Sequence, residues 1–195
     1  MSATDDPALY PLFLKLRGRD VLVVGAGPVA ERKITVLLEC GAAVRVVAPR
    51  ATDRIREWSG SGAVVWLGRR FEDPDADGAW LVVAATGDPT VEATVAEAAE
   101  RRRAFVIAVD DPLHASAYSG SVVRRPPFTL AISSSGATPA LTRLVREIVE
   151  QVLPGEDWVE HAKALRARWL ASRTPPEQRF GELVRELKLR DKAGS

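Results

Sequence analysis

The sequence has very few of the residues on which thiol, metal and histidine chemistry depend: one cysteine and two histidines in 195 residues. A single cysteine, Cys40, cannot form a disulfide within a chain, which suits a reducing compartment. The histidines and the cysteine are too few for a zinc site built from such ligands. His114 lies in a proline-flanked loop and His161 in a charged C-terminal segment. Neither position favours a catalytic base.

Strong net charge and long apolar runs are also absent. The formal net charge is +1, which gives no support to binding of nucleic acid or a membrane surface. No window approaches the roughly 18 apolar residues of a membrane span. The opening "MSATDDPALYPLF" lacks the basic and apolar parts of a secretory signal. We therefore expect a soluble, cytoplasmic protein with no nucleic-acid or membrane partner.

The first part of the chain alternates short apolar runs with helical patterns. Such alternation predicts an α/β fold with a doubly wound parallel sheet, here over residues 1–111. A further run, "LYPLFLKL", predicts a short edge strand before the sheet proper. The five buried strands are predicted at residues 21–24, 44–47, 63–67, 80–86 and 104–109.

The pattern changes after residue 111. Residues 112–153 contain two predicted strands and the amphipathic helix "TPALTRLVREIVEQVL", which Thr138 and Pro139 begin, and we expect a small α+β region there. Residues 154–195 predict a helical tail of two segments. Neither tail segment can bury its apolar stripe alone, so both are predicted to pack on a partner chain.

A glycine turn, "GAGPVA", directly follows the first strand at residues 25–30. In such a turn the first glycine permits a tight bend, the second lets backbone approach a pyrophosphate, and the small last residue allows close helix–strand packing. Helix N-termini also bind anions. The strand–turn–helix context therefore favours dinucleotide binding over a simple corner. The predicted cofactor-binding residues of this turn are Gly25, Ala26, Gly27, Pro28 and Val29.

The second strand lacks the acidic residue that usually binds the adenosine ribose. It ends with Ala48, Pro49 and Arg50. Arg50 could meet a 2′-phosphate or could be a solvated surface charge. The motif alone leaves the choice between NAD and NADP open.

The residues quoted above, together with "WLVVAATGDPTVE", "VDDP" and "PFTLAISSSGATPALTRLVRE", resemble the precorrin-2 dehydrogenase family. The resemblance covers roughly residues 10–154. This family supplies the dehydrogenase, and sometimes ferrochelatase, modules of siroheme synthesis. "VAERK" and "AISSSGATPAL" are its most specific segments. The resemblance implies a Rossmann-type sheet, followed by a dimerisation region at 112–153 and the helical tail.

The resemblance implies particular cofactor contacts and a catalytic base. Asp110 falls on the family's functional aspartate. From the residues alone, a role as base and a role as cap of an Asp-Pro turn are equally supported for Asp110 or Asp111. The resemblance implies that Asp110 is the base and Asp111 the turn residue. Val47, Ala48 and Pro49 would lie by the ribose, and Thr86, Gly87 and Asp88 would face the cofactor.

Precorrin-2 is a large polycarboxylate, so its site needs cations and a broad apolar wall. The arginines and the serine-rich turn could instead be a solvated helix face and a strand end. Two departures from the family pattern, Ile107 and Ser135, affect the expected cofactor contacts and the shape of the turn. The predicted substrate-binding residues are Arg124, Arg143, Arg146, Ser133, Ser134 and Gly136, and no resident metal site is expected.

These features predict a homodimeric enzyme that oxidises precorrin-2 to sirohydrochlorin with NAD⁺ as cofactor. With 195 residues we expect a module without the methyltransferase domain of the fused siroheme synthases. One alternative is a bifunctional dehydrogenase and ferrochelatase that also takes Fe²⁺ as substrate. A second, from another class, is a non-catalytic NAD(H)-sensing module.

Overall fold

A computed structural model describes residues 8–109, 111–135, 138–153 and 155–191. By its internal contacts the chain divides into two compact units, Met1–Ser119 and Gly120–Ser195. The first unit holds a five-stranded parallel sheet and the second holds an antiparallel hairpin with three helices.

The sheet of the first unit has the strand order β3-β2-β1-β4-β5. All its neighbouring strands run parallel, so the predicted α/β doubly wound sheet is confirmed. Continuous apolar runs form these strands because both faces of the sheet are covered. The strands are β1 (Asp20–Val24), β2 (Ala43–Val47), β3 (Val64–Leu67), β4 (Leu81–Ala84) and β5 (Phe105–Ala108).

Helices cover the sheet on both faces and divide its core in two. The helices are α1 (Pro28–Glu39), α2 (Asp53–Gly60) and α3 (Pro89–Arg101), with a short 3₁₀ helix at Asp73–Ala76. One core contains Ile34 of α1 and Ile55 of α2. The other contains Val95 of α3 and Ala76 of the 3₁₀ helix. This two-sided packing is the doubly wound arrangement that the alternation of elements predicts.

The predicted edge strand at the start of the chain is wrong. Residues 8–16 form no strand, and the side chains of Leu9, Tyr10, Leu12, Phe13 and Leu14 are exposed. Only Leu16 reaches the core. An apolar run becomes a strand only where a neighbouring edge offers backbone partners, and this segment pairs with none of the described strands.

The second unit begins with the hairpin of β6 (Ser121–Arg125) and β7 (Phe128–Ile132), as predicted. The helices α4 (Pro139–Val152), α5 (Glu156–Ala171) and α6 (Pro176–Asp191) follow. Arg125 ties the hairpin to α4 by donating to the backbone carbonyls of Glu150 and Leu153. These two bonds satisfy carbonyls at the end of α4, where no later helical N–H is available.

The tail helices contact each other within the chain, which the sequence interpretation did not expect. Leu165 and Trp169 of α5 are buried. The Trp169 indole donates to Glu182 of α6 at 2.7 Å. Phe180 of α6 stays exposed. The prediction that both stripes need a partner chain is therefore wrong for most of α5. In the described parts of the chain, no helix has both the length and the apolar character needed to cross a membrane.

Candidate functional site

A cleft of about 620 Å³ lies where β1, β2 and β4 end in the first unit. Open α/β sheets bind ligands outside the carboxyl ends of their strands, at the point where the strand order reverses. Here the order reverses between β1 and β4. Of the predicted cofactor-binding residues, the cleft is lined by Gly25, Ala26, Gly27, Val47, Ala48, Pro49, Thr86 and Asp88. Pro28, Val29 and Gly87 do not line it, although Pro28 and Gly87 are adjacent in the chain to residues that do.

The first glycine of the turn, Gly25, is required by backbone conformation and by a close contact within the protein. Gly25 has φ +104°, and its N–H donates to the Val47 carbonyl at 3.0 Å. A Cβ at this position would lie 2.2 Å from the carbonyl oxygen of Ala85. Gly25 therefore lets the loop after β1 pass against the loop after β4, in a left-handed conformation that side chains disfavour.

The second glycine, Gly27, has no role in packing within the described protein, but it lines the cleft. Gly27 has φ −86°, which any residue adopts, and a Cβ on it would meet no protein atom within 4 Å. Gly27 lines the cleft, so a Cβ there would occupy ligand space. Below the turn, Ala30 is fully buried, as close helix–strand packing requires. The turn thus fits a dinucleotide pyrophosphate.

The N-terminus of α1 leaves donors for such an anion. Gly27 is its N-cap and Pro28 its first residue, and among the described residues no side chain caps it. The first N–H groups of a helix have no partner within the helix and carry its positive dipole end. Since no side chain of the described segments satisfies them, these N–H groups can bind phosphate oxygens.

A buried carboxylate, Glu92, organises the loop after β4, and sequence reasoning missed it. Glu92 is 5% exposed. Its Oε1 accepts the backbone N–H groups of Thr86 and Gly87, both at 2.9 Å, and lies 3.2 Å from the Thr86 hydroxyl. An acidic residue in the first turn of a predicted helix is the only signal for this role. Glu92 fixes the backbone of the loop that lines the cleft.

Asp88 is already engaged at the start of α3. Its Oδ1 accepts the N–H groups of Thr90 at 3.0 Å and Val91 at 3.4 Å, so Asp88 is the N-cap of α3. Its side chain is exposed at the edge of the cleft. Asp88 thus shapes one wall of the site while its carboxylate stabilises the helix.

The segment after β5 carries the predicted base. Asp110 lies outside the described residues. Its neighbour Asp111 lies 2.6 Å from Nδ1 of His114 (Oδ2 to nitrogen), and this contact lowers the pKa of the Asp111 carboxyl. Backbone N–H groups of His114 and Leu113 act in the same direction. These are the contacts of a turn residue, so Asp111 stabilises the segment that follows the predicted base.

The predicted substrate residues lie in the second unit. The Ser134 hydroxyl accepts from the Thr142 hydroxyl at 2.8 Å and from the Thr138 N–H at 3.2 Å. Ser133 accepts from the Ser135 N–H at 3.1 Å. Ser135 adopts φ +52°, which is strained for a side-chain-bearing residue. The structure thus brings the serines together at the start of α4, and Gly136 lies outside the described residues.

The three predicted arginines lie on β6 and α4. Arg124 pairs with Thr129 in the hairpin register. Arg143 contacts Glu147 at 3.0 Å and Arg146 contacts Glu150 at 2.7 Å, both as exposed pairs one helical turn apart. Such exposed pairs exchange readily for other anions because they contribute little net stability.

Comparison with known proteins identifies the family. Residues 12–121 match the family NAD_binding_7, described as "Putative NAD(P)-binding". Curated relatives include a siroheme synthase of Citrobacter koseri, 43% identical over 160 residues, and siroheme synthase 3 of Aeromonas hydrophila, 43% identical over 144. These alignments cover 81% and 74% of this chain but only 35% and 31% of the relatives, so the chain spans about a third of their length.

A solved structure supports the same relationship over nearly the whole chain. SirC, a precorrin-2 dehydrogenase, superposes with a TM-score of 0.73 at 26% identity. The match covers 91% of this chain and 88% of SirC. The family match and these relatives agree with the resemblance seen in the sequence. The chain therefore belongs to the NAD(P)-binding family matched here, and within it to the precorrin-2 dehydrogenases, an oxidoreductase family of the siroheme pathway.

Proposed function

We propose that this protein oxidises precorrin-2 to sirohydrochlorin with NAD⁺ as the hydride acceptor. The observation that carries the proposal is the Gly27 position, where the absent Cβ leaves space for a ligand beside an uncapped helix N-terminus. Membership of an oxidoreductase family of the siroheme pathway supports the substrate class.

The chain's own residues would hold the cofactor along the cleft. The N–H groups at the start of α1 would bind the pyrophosphate. Val47, Ala48 and Pro49 would lie by the adenosine ribose, at the end of β2. Thr86 would line the far end, where Glu92 fixes its backbone. When bound, the nicotinamide supplies the acceptor for the hydride that leaves the tetrapyrrole.

Asp110 would take the proton that leaves with the hydride. Oxidation of precorrin-2 to sirohydrochlorin removes two electrons and one proton as hydride and releases one further proton, so a base near the reacting carbon assists the step. Asp110 follows β5, whose carboxyl end lies beside that of β4. The neighbouring Asp111 carboxyl, with its lowered pKa, is negative at neutral pH. A negative neighbour raises the proton affinity of a carboxylate, which suits a base.

Substrate carboxylates would be bound by residues of the second unit. Arg124, Arg143 and Arg146 carry guanidinium groups suited to bidentate contacts with propionate and acetate groups. Ser133, Ser134 and Gly136 would form the turn beside the macrocycle. The exposed ion pairs of Arg143 and Arg146 can open toward a substrate at little cost.

A homodimer is part of this proposal. The side chains of the α4 apolar stripe, which consists of Leu141, Leu144, Val145, Ile148 and Val152, are all exposed. An apolar stripe at helical spacing on an amphipathic helix is the usual signature of a packed face. A second copy of the chain would bury it.

Oxidation of precorrin-2 in the presence of NAD⁺, followed by absorbance, tests the activity. We expect Asp110→Ala to lose most of the oxidation rate and to keep NAD⁺ binding. Asp111→Asn is the matched comparison, since it keeps the base and removes only the adjacent carboxylate, so we expect it to lower the rate by less than Asp110→Ala does. Unchanged turnover in Asp110→Ala would remove the assignment of the base.

Further outcomes separate the alternative functions. Siroheme formation when Fe²⁺ is added after the oxidation would make the enzyme bifunctional. Tight NAD(H) binding with no oxidation of precorrin-2 by the wild-type protein would favour the sensing module and contradict the proposal.

A further inference from the structure

Lys33 of α1 contacts the last residue of the first unit, and the proposed function gives this lysine no role. Its Nζ donates to the hydroxyl of Ser119 at 2.5 Å, across 86 positions of the chain. The Lys33 side chain is partly buried and the Ser119 side chain is exposed. Since α1 also contributes its first N–H groups to the cleft, the contact links the cofactor helix to the end of the first unit.

The segment between β5 and Ser119 is a closed loop. The chain returns to the edge of β5, the last strand of the sheet, where the N–H groups of Ser116 and Ala117 donate to the Val106 carbonyl at 3.0 and 2.8 Å. The Ser116 hydroxyl accepts the Val106 N–H at 2.8 Å. In the sequence, the predicted base Asp110 falls between these bonded positions. The segment that follows the base is therefore anchored twice, on β5 and, at Ser119, on α1.

The chain passes from the first unit to the second at the joint Ser119–Gly120. Gly120 directly precedes β6, and a Cβ on it would lie 2.5 Å from the carbonyl oxygen of Ile132 at the end of β7. Only glycine allows backbone to approach so closely. The joint is thus held by the hairpin on its second-unit side and by Lys33 on its first-unit side.

The bond between Lys33 and Ser119 acts more on geometry than on stability. A hydrogen bond at an exposed hydroxyl contributes little to the free energy of unfolding, because water replaces it readily. Without this bond, the last backbone hydrogen bond to the sheet before the joint, in the described chain, is that of Ala117. Loss of Lys33 therefore loosens the residues that lead into the second unit and leaves the core unchanged.

We propose that Lys33 is a positioning residue for the oxidation, and that it acts by fixing the joint through Ser119. The proposal rests on the proposed function, in which the first unit holds the dinucleotide and the second unit holds the substrate carboxylates. Hydride transfer requires a defined geometry of the reacting carbon and the nicotinamide, and small misplacements lower its rate strongly. A fixed joint also reduces the conformational entropy that is lost when the substrate binds.

Steady-state kinetics of Lys33→Met at saturating NAD⁺ test the proposal. Methionine keeps an unbranched side chain and cannot donate to Ser119. We expect kcat/KM for precorrin-2 to fall by about tenfold. The dissociation constant of NAD⁺ should change by less than about twofold, because all residues that line the cleft in the described chain belong to the first unit.

Stability and rescue separate this role from a merely structural one. We expect the thermal midpoint of Lys33→Met to fall by no more than about 4 °C. Lys33→Arg keeps a cationic donor and should recover most of the rate. Ser119→Ala removes the acceptor and should lower kcat/KM in the same direction. The double variant should be no slower than Lys33→Met, because both residues act through one contact.

Arg32→Met is the matched control. Arg32 is the neighbouring exposed cation on α1 and lies outside the cleft lining. Its removal changes the net charge by the same amount, and we expect kcat/KM to stay within about twofold of wild type.

Four results would overturn the proposal and leave the proposed function standing. They are an unchanged kcat/KM in Lys33→Met, an equal loss in Arg32→Met, additive losses in the double variant, and a loss of NAD⁺ affinity as large as the loss of kcat/KM. Absence of precorrin-2 oxidation by the wild-type protein would instead overturn the proposed function, and the role of Lys33 in turnover with it.

Discussion

The two units of this chain bury their apolar residues to very different degrees. In the first unit, Val21, Leu22 and Val23 of β1 are fully buried, because α1 and α3 belong to cores on opposite faces of the sheet. In the second unit, Leu141, Leu144 and Ile148 of α4 are each more than half exposed. The first unit completes its core from its own residues, and the second leaves an apolar face open.

Because of this difference in burial, different contacts stabilise the two units. The sheet unit carries the cleft, and its stability is set by contacts within the chain, so substitutions there act on folding directly. Under the homodimer proposal, the apolar face of the second unit would gain its main stabilisation from the second copy that covers it. Burial of such a face contributes about 25 cal/mol per Å² of apolar surface before the costs of association.

The largest effect is expected from Gly25→Ala in the first unit. Its Cβ would lie 2.2 Å from the Ala85 carbonyl oxygen at a φ of +104°, so backbone must shift. We expect the free energy of unfolding to fall by about 2–4 kcal/mol. Urea-induced unfolding measures this change.

Gly27→Ala is the matched control in the same turn. Gly27 is the N-cap of α1 and its Cβ would meet no protein atom, so its stability cost should stay below about 1 kcal/mol. NAD⁺ binding should nevertheless weaken by about tenfold or more, because the methyl group takes space needed by the pyrophosphate. Equal stability losses in the two variants would contradict the division of roles between the glycines.

In the second unit, an acidic substitution on the α4 apolar stripe should act on association. We expect Leu144→Asp with Ile148→Asp to convert dimers to monomers, since burying unpaired carboxylates in an interface costs about 2 kcal/mol or more. Sedimentation velocity at several protein concentrations measures the change. Leu113→Asp is the control, because Leu113 is a nearly fully exposed leucine of the first unit. A doubly substituted protein that remains dimeric would show that the stripe is not the interface.

The sheet could be predicted from the sequence because each of its strands is marked by its own apolar run. Runs such as residues 21–24 and 44–47 are apolar without interruption, as strands covered on both faces must be. Strand limits differ by one or two residues, and β4 (Leu81–Ala84) is shorter than predicted. The apolar run before β1 was wrongly predicted as a strand, since a run alone does not show whether an edge is available to pair with it.

Contacts distant in the chain were beyond sequence reasoning. At the C-terminal end of α3, Arg101 and Arg102 both pair with Asp73, and Arg102 also pairs with Asp77. Nothing in the local pattern indicates partners 25–29 residues away. Glu92 was missed for a different reason: its partners are only five and six residues away, but an acidic residue in the first turn of a helix does not show that its side chain accepts from the preceding loop. The glycine turn was predicted from its motif, and the structure adds that a Cβ on Gly25 would collide with the Ala85 carbonyl whereas a Cβ on Gly27 would meet no protein atom within 4 Å.

The smallest and most discriminating prediction compares acid sensitivity in the two units. In the first unit, Asp75 is buried and bound to Arg69 by bonds of 2.6 and 2.7 Å, which lowers the pKa of its carboxyl. In the second, the pKa of Glu186 is lowered mainly by Arg168, but both side chains are substantially exposed. Exposed ion pairs contribute little to the free energy of unfolding, whereas loss of a partner from a buried pair is costly. We therefore expect Asp75→Asn to lower the free energy of unfolding by about 1–3 kcal/mol at neutral pH, and Glu186→Gln to lower it clearly less.

The direction of the pH dependence follows from the lowered pKa of Asp75. A carboxylate whose pKa is lower in the folded state stabilises the fold above its unfolded value of about 3.9. That stabilisation is lost as the pH falls through the folded-state pKa. The gap between wild type and Asp75→Asn in urea midpoint should therefore narrow steadily below about pH 4. A gap that is constant with pH would mean that packing of the side chain, and not its charge, stabilises the loop between β3 and β4.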